Sequence, residues 1–334
     1  MIVEIAQTIF FLIIMSIAAE LISRGAEVLE KRFGAGFVGA VVLGFITTLP
    51  ELVFVIIAVR AMEYDIAMGS AIGGNILLFT VGYGMVIVLA FVFHRKSITL
   101  ENVHLRDDMW YLLISCILIL FAALDGVFQW YEGVILICIY VVYVIHQFFE
   151  SRGFFIFPSE SQPQKEEESE PPEEEPIRSK LSVFLLVLGG VLLLLVAEPF
   201  VHAIGALSLA IGISPLILSL VVSPLASEMP EKISAFVLTI KDLKGAEMAI
   251  ANFIGSKVMN NSLLFGVMII MASFVVGVEI TDTSRDILLL LVMMLTTVIG
   301  VKLTYDLKLK PKEGILALAL YIIAVGAVFI IYNL

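Results

Sequence analysis

Long apolar runs, separated by short stretches that hold most of the charge, fill the chain from one end to the other. Runs near or above about 18 apolar residues read as transmembrane helices, because about 20 residues rising 1.5 Å each span the ~30 Å hydrocarbon core. Ten can be placed, at approximately Ile2–Ser23, Phe37–Val59, Ile66–Phe93, Met109–Leu124, Gln129–Phe149, Leu181–Val201, Ile213–Thr239, Met248–Val278, Ile287–Val301 and Gly314–Tyr332. The first reads as a retained helix rather than a signal peptide, since no basic residue precedes it and no small-residue cleavage site follows. Composition agrees: 60% of residues are hydrophobic and 15% charged, against about 45–50% apolar and about 25% charged in soluble domains. The pattern predicts an all-α membrane protein with ten transmembrane helices.

Charge adds an orientation. Lys and Arg mark cytoplasmic loops. The segments after helices 1, 3, 5, 7 and 9 hold sixteen of the 20 basic residues, the other side holds Arg60 and Arg285, and Lys232 and Lys257 fall inside apolar runs. Both termini are therefore expected outside. The fifth loop, an acidic linker over residues 151–180 with KEEESEPPEEE at its core, is expected in the cytoplasm, the whole being a multi-pass protein of the cell (inner) membrane. The net charge of −11 comes largely from that linker and argues against a nucleic-acid partner. No GxxxxGK[ST] is present, so a nucleotide-driven pump is not expected. Cys116 and Cys138 lie in apolar runs and suggest neither a metal nor a redox centre.

Five helices precede the linker and five follow it. Gly25-Ala26 aligns with Gly205-Ala206 at an offset of 180, which also places Leu49-Pro50-Glu51 on Met229-Pro230-Glu231. Ala71-Ile72-Gly73-Gly74 aligns with Phe253-Ile254-Gly255-Ser256 at an offset of 182. An odd number of helices per half sends the second half in from the opposite side, giving two inverted five-helix repeats, 1–150 and 181–334. Such repeats place a transporter's site near the midplane at their interface.

Candidate chemistry gathers there. Pro50, Pro224 and Pro230 interrupt apolar segments, and Glu51 and Glu231 each follow a proline. A proline frees a carbonyl one turn earlier, and inside a bilayer such breaks are tolerated where they line a cavity or pack on protein. A buried carboxylate costs roughly 2.5–3.5 kcal/mol on insertion scales and marks an ion path. Thr47, Thr48 and Glu51 share one helical face, and Ser227, Glu228 and Glu231 are expected to repeat that geometry. The facing segments supply Ser70 and Asn75 in the first half, and Asn252, Ser256, Asn260 and Asn261 in the second. Carboxylate, hydroxyl and amide oxygens suit a hard cation such as Ca2+ and nothing softer. The alternative for Glu51 and Glu231 is ion pairing with Lys232 and Lys257 as helix glue, and Lys232, four residues on, is well placed to neutralise Glu228.

GFITTLPEL (Gly44 to Leu52) with GSAIGGNIL (Gly69 to Leu77), and ISPLILSLVVSPLASEMPE (Ile213 to Glu231) with ANFIGSKVMNN (Ala251 to Asn261), resemble the two signature repeats of the calcium/cation antiporter superfamily. The resemblance implies ten helices, alternating access and a central Ca2+ site held by Glu51 and Glu231, with Thr47, Thr48, Ser227 and Ser256 as oxygen ligands. Sodium-coupled members carry serine where this chain has Gly74 and Glu228, and an amide or carboxylate at the Leu78 and Asn260 positions, whereas the TLPE form of the first motif is nearer to them. Two carboxylates in a low-dielectric site resist joint ionisation, so H+ and Ca2+ would compete for the same oxygens. The expected function is therefore exchange of Ca2+ for a monovalent cation across the lipid bilayer, with H+ favoured and Na+ the alternative, and no enzymatic activity. A cation channel or membrane scaffold is the further rival.

Overall fold

The computed structural model describes residues 1–33, 37–100, 105–151, 175–275 and 283–333. The first half consists of α1 (Ile2–Phe33), α2 (Phe37–Arg60), α3 (Tyr64–Leu77), α4 (Tyr83–His94), α5 (Leu105–Ala123) and α6 (Trp130–Ser151). The second consists of α7 (Glu175–Ile211), α8 (Pro215–Ser227), α9 (Met229–Lys241), α10 (Leu243–Met259), α11 (Phe265–Val275), α12 (Thr283–Thr304) and α13 (Pro311–Asn333). A π-helical turn at Leu78–Gly82 joins α3 to α4 without a break, and another at Asn260–Leu264 joins α10 to α11. With each joined pair, and α8 with α9, taken as one span, every half contributes five spans and the chain ten. Seven stretches among the described residues are by themselves long and apolar enough to cross a membrane.

Side-chain placement is that of a membrane protein. Ile9, Phe121, Leu195 and Ile322 are exposed, whereas Thr48, Glu51, Asn75, Asn260 and Asn261 are buried. Apolar surface facing lipid loses nothing, and polar groups must find partners inside.

The inverted repeat is visible in the packing. α1 lies along α7, its own equivalent, and α4 on α13 mirrors α11 on α6. These last two interfaces are backbone contacts made by glycines. A Cβ on Gly84 would lie 2.8 Å from the Gly314 carbonyl oxygen, and one on Gly266 would lie 2.8 Å from that of Gly133. Small residues of this kind let membrane helices approach to dispersion contact, the attraction that remains when lipid is as apolar as the side chains. α3 comes equally close to α8, for Cβ atoms on Gly69 and Gly73 would strike the carbonyl oxygens of Leu216 and Leu220. Leu220 is the residue four before Pro224, so its carbonyl is the one that proline leaves free. A two-stranded ladder, β1 (Ile98–Thr99) with β2 (Lys308–Leu309), pins the loop after the third span to the loop after the ninth, so both lie on one side.

Three sequence expectations change. α1 runs on to Phe33, and α7 spans Glu175–Ile211 rather than Leu181–Val201. Apolarity shows where the bilayer is, whereas backbone hydrogen bonding continues a helix beyond it. The linker expected over 151–180 thus gives up its last residues to α7, and 152–174 lie outside the described residues. The seventh segment, expected as one helix over Ile213–Thr239, is two, parted at Glu228. Pro230 therefore sits in the first turn of α9, where a missing N–H is harmless, whereas α2 continues through Pro50.

The glycine crossings give a stability prediction. Gly84→Ala should destabilise the detergent-solubilised protein by about 1–3 kcal/mol through overpacking, read as a lower Tm. Gly326→Ala, which meets nothing within 4 Å, should leave Tm unchanged or raise it, since alanine is the better helix former by up to about 1 kcal/mol.

Candidate cation site

Four elements from both halves bring the polar core together. Glu51 comes from α2, Glu228 from the α8–α9 break, Glu231 from the first turn of α9, and Asn260 from the π turn after α10. All four are buried. The Asn260 amide Nδ2 donates to Glu51 Oε2 at 2.8 Å and to Glu228 Oε1 at 3.2 Å, so one amide ties the two repeats together. Gly74 on α3 lies against the same carboxylates: a Cβ there would strike Glu51 Oε1 and Glu228 Oε1. The other oxygen of Glu228 takes a 2.5 Å ion pair from Lys232 Nζ, one turn along α9.

Glu231 is held differently. Its Oε1 accepts from Asn252 Nδ2 at 2.6 Å and from Ser256 Oγ at 3.2 Å, both on α10. The carboxylate brought to Glu51 is therefore that of Glu228, while Glu231 is turned to α10. The expectation that Ser227, Glu228 and Glu231 would repeat the geometry of Thr47, Thr48 and Glu51 is corrected here. The helix parts at Glu228, so these three do not share one helical face, whereas Thr47, Thr48 and Glu51 do.

The repeat equivalences explain the difference between the two motif carboxylates. Asn252 and Ser256, the donors to Glu231, correspond at an offset of 182 to Ser70 and Gly74. Gly74 has no hydroxyl, and both Ser70 Oγ and Glu51 Oε1 are buried without a hydrogen-bond partner. Glu51 instead takes its donor from Asn260, whose own equivalent is Leu78.

Apart from the Ser70 hydroxyl, the side-chain donors named here are committed to protein acceptors. Thr47 and Thr48 hydroxyls donate to the Gly44 carbonyl at 3.2 and 2.9 Å, and Ser227 to that of Ser223 at 3.1 Å. A hydroxyl that gives its proton to its own helix keeps its lone pairs for another partner. Asn75 Nδ2 donates to Ala71 O at 3.0 Å and Asn261 Nδ2 to Cys116 Sγ at 3.1 Å. What remains buried and unpartnered is oxygen: Glu51 Oε1, Ser70 Oγ and the Oδ1 atoms of Asn75, Asn260 and Asn261. Four of these are pure acceptors and the fifth, the Ser70 hydroxyl, is free to turn its proton away, so the group offers lone pairs that a cation could take. Among the described residues no cluster of three His, Cys, Asp or Glu could hold a metal. A cation here would depend on amide, hydroxyl and carbonyl oxygens beside the carboxylates, the donor set of a hard ion.

Lys257 completes the centre. It is fully buried on α10, and its Nζ donates to the backbone carbonyl of Asn75 and stands 4.8 Å from the centroid of the Phe79 ring. The sequence places Lys257 inside an apolar run, from which a long side chain could still reach an interface; its burial and the Asn75 contact exclude that. The carboxylates Glu51, Glu228 and Glu231 and the ammoniums Lys232 and Lys257 sum formally to −1.

Fold and centre together define a class, membrane proteins built as an inverted repeat around a buried polar site. The chain belongs to the sodium/calcium exchanger protein family, whose family model matches residues 3–149 and 181–330, both halves without the linker. It is 23% identical over 307 residues to an uncharacterized membrane protein, MJ0091, of Methanocaldococcus jannaschii, covering 91% of this chain and 90% of that one. Among solved structures, the H+/Ca2+ exchanger CAX superposes with a TM-score of 0.77 at 22% identity over 99% of this chain and 85% of that one. The sodium-calcium exchanger NCX_Mj superposes with a TM-score of 0.61, also at 22% identity, over 98% of each chain. The ten-span inverted repeat is thus the fold of this chain as well.

The Glu228–Lys232 pair generates a prediction. Lys232→Met should destabilise the protein by about 3–5 kcal/mol, because it leaves a buried carboxylate uncompensated. Adding Glu228→Gln should restore most of that loss in thermal unfolding; two independent, additive losses would show that the residues do not act as a pair.

Proposed function

We propose that this membrane protein is a secondary active antiporter exchanging Ca2+ for a monovalent cation by alternating access, with H+ as the counter-ion. The observation that carries the reading is the buried centre where the two repeats meet, in which five side-chain oxygens remain unpartnered. Ca2+ takes six to eight oxygens at 2.3–2.6 Å, and family membership supports Ca2+ as the cargo. Glu51 and Glu231 are the proposed primary ligands. Thr47, Thr48, Ser227, Ser256 and Asn260 supply further oxygens, and Glu228 contributes charge beside Glu51.

Several features support H+. Gly74 and Leu78 offer no side-chain oxygen, Leu78 packs in an apolar cluster with Phe79 and Tyr83, and the carboxylates of Glu51 and Glu228 crowd the Gly74 position. Carboxylates held this close compete for one proton or one cation, and mutually exclusive occupancy makes exchange obligatory. In the proposed cycle, protonated Glu51 and Glu231 face outward, reorient, release H+ to the cytoplasm and accept Ca2+. The pair α1 and α7 rocks against the remaining spans. The TLPE form of the first motif favours Na+ as the second reading. The distribution of Lys and Arg supports a protein of the cell (inner) membrane with both termini outside and the acidic linker in the cytoplasm.

Proteoliposome Ca2+ flux under separately imposed pH and Na+ gradients tests the cycle. Uptake should follow the pH gradient; uptake that needs only Na+ selects the second reading, and leakage indifferent to both indicates a channel. Glu51→Gln and Glu231→Gln should each reduce exchange to the protein-free level, and near-normal flux in either would refute its role. For orientation, Ser161→Cys in the linker should react with a membrane-impermeant maleimide from the cytoplasmic side alone.

A further inference from the structure

Lys257 has no carboxylate within ion-pair distance among the described residues, in contrast to Lys232, whose charge is spent on Glu228. Its surroundings are a backbone carbonyl, an aromatic face, the Cys116 thiol and, at longer range, the charges of Glu51 and Glu228. Freed backbone carbonyls coordinate the coupling ions of inverted-repeat transporters, and an aromatic face attracts any desolvated cation. The ammonium is thus dressed as a small monovalent ion would be.

Its position is equally specific. The offset of 182 that relates the second motifs makes Asn75 the repeat equivalent of Lys257. The ammonium is bonded to the main chain of its own symmetry mate, which places it close to the pseudo-two-fold axis and within electrostatic reach of Glu51 and Glu228, one from each half. The amide oxygen of the same Asn75 is buried and unpartnered. A neutral amide in the first half and an ammonium in the second therefore meet where oxygens from both halves converge.

We infer that the Lys257 ammonium is a tethered cation filling one cation position of the exchange site, so that each Ca2+ is exchanged for one monovalent ion fewer than the site would otherwise need. This rests on the exchange reading above. With Lys257 the five ionisable groups sum formally to −1, which two protons or one Ca2+ bring to +1; without it they sum to −2, and a third monovalent ion brings them to the same +1. The lysine therefore lowers the number of mobile counter-ions and repels Ca2+.

The experiment compares wild type with Lys257→Gln, which keeps a donor for the Asn75 carbonyl but no charge, and with Lys257→Arg, which keeps the charge. Counter-ions per Ca2+ are obtained from the membrane potential at which proteoliposome Ca2+ flux reverses, and half-saturating Ca2+ from initial rates. Lys257→Gln should raise the coupling number by one and lower half-saturating Ca2+ about tenfold, the scale of removing one nearby like charge. Lys257→Arg should keep the wild-type coupling number. Unchanged coupling and unchanged half-saturation in a folded Lys257→Gln would overturn the inference. Should that variant fail to fold, Lys257→Met, which keeps the length of the side chain, carries the same expectation. Wild type alone is also decisive, since three or more monovalent ions per Ca2+ would overload a centre of formal charge −1 and overturn the assignment. Folded wild type and Lys257→Gln that both move no Ca2+ under any gradient would instead refute the exchange reading itself.

Discussion

An ionised side chain within the span of a bilayer has no water to solvate it, so its compensation must be built from the same fold; taking each ion out of water costs several kcal/mol even after relaxation. Five such side chains stand in the centre of this protein: Glu51, Glu228, Glu231, Lys232 and Lys257, all buried. The architecture around them answers that demand. The break between α8 and α9 brings Glu228 to Glu51 and leaves Lys232 one turn away to neutralise it. The π turn after α10 presents Asn260, whose amide serves carboxylates of both halves. Gly74 keeps the space over α3 open for the two carboxylates to approach.

The scaffold is nearly symmetric and its chemistry is not. The glycine crossings of α4 on α13 and α11 on α6 repeat, as do the π turns. Within this frame four of the five charged side chains of the centre come from the second half, and Glu51 comes from the first. Thr48 corresponds to Glu228, Gly74 to Ser256, Leu78 to Asn260 and Asn75 to Lys257. The second half therefore brings most of the charge, and unpartnered oxygens come from both halves. Close backbone crossings at glycine make rigid pairs of helices. The long contact of α1 with α7 pairs the first helices of the two halves, and both also lie against α2 and α8.

Much of the fold was legible because the bilayer imposes a length. A ~30 Å apolar slab requires runs of about 20 residues, and the ten runs read from the sequence correspond to ten spans. The family motifs around Glu51 and Glu231 were legible too, since a carboxylate or proline inside such a run is rare enough to stand out. Helix ends were less so: α1 and α7 continue past their apolar stretches because a helix ends where its hydrogen bonding ends, not where lipid does. The site was legible as a set of residue types and not as a set of contacts. Glu51 and Glu231 share a motif, yet Glu51 meets Glu228 and Glu231 meets Asn252 and Ser256.

The amino-acid order by itself determined the all-α membrane class, the count of ten spans, the repeat and the placement of Glu51, Glu231, Lys232 and Lys257 within apolar runs. All of these follow from one-dimensional patterns of apolarity and charge. Tertiary structure alone decided that the seventh span parts at Glu228, that Asn260 bridges two carboxylates, and that Lys257 is held by the Asn75 carbonyl. Asn260 with Glu51 and Lys257 with Asn75 join residues roughly 180 to 210 positions apart, and side-chain direction across closely packed helices, which no periodicity encodes, sets which of them touch.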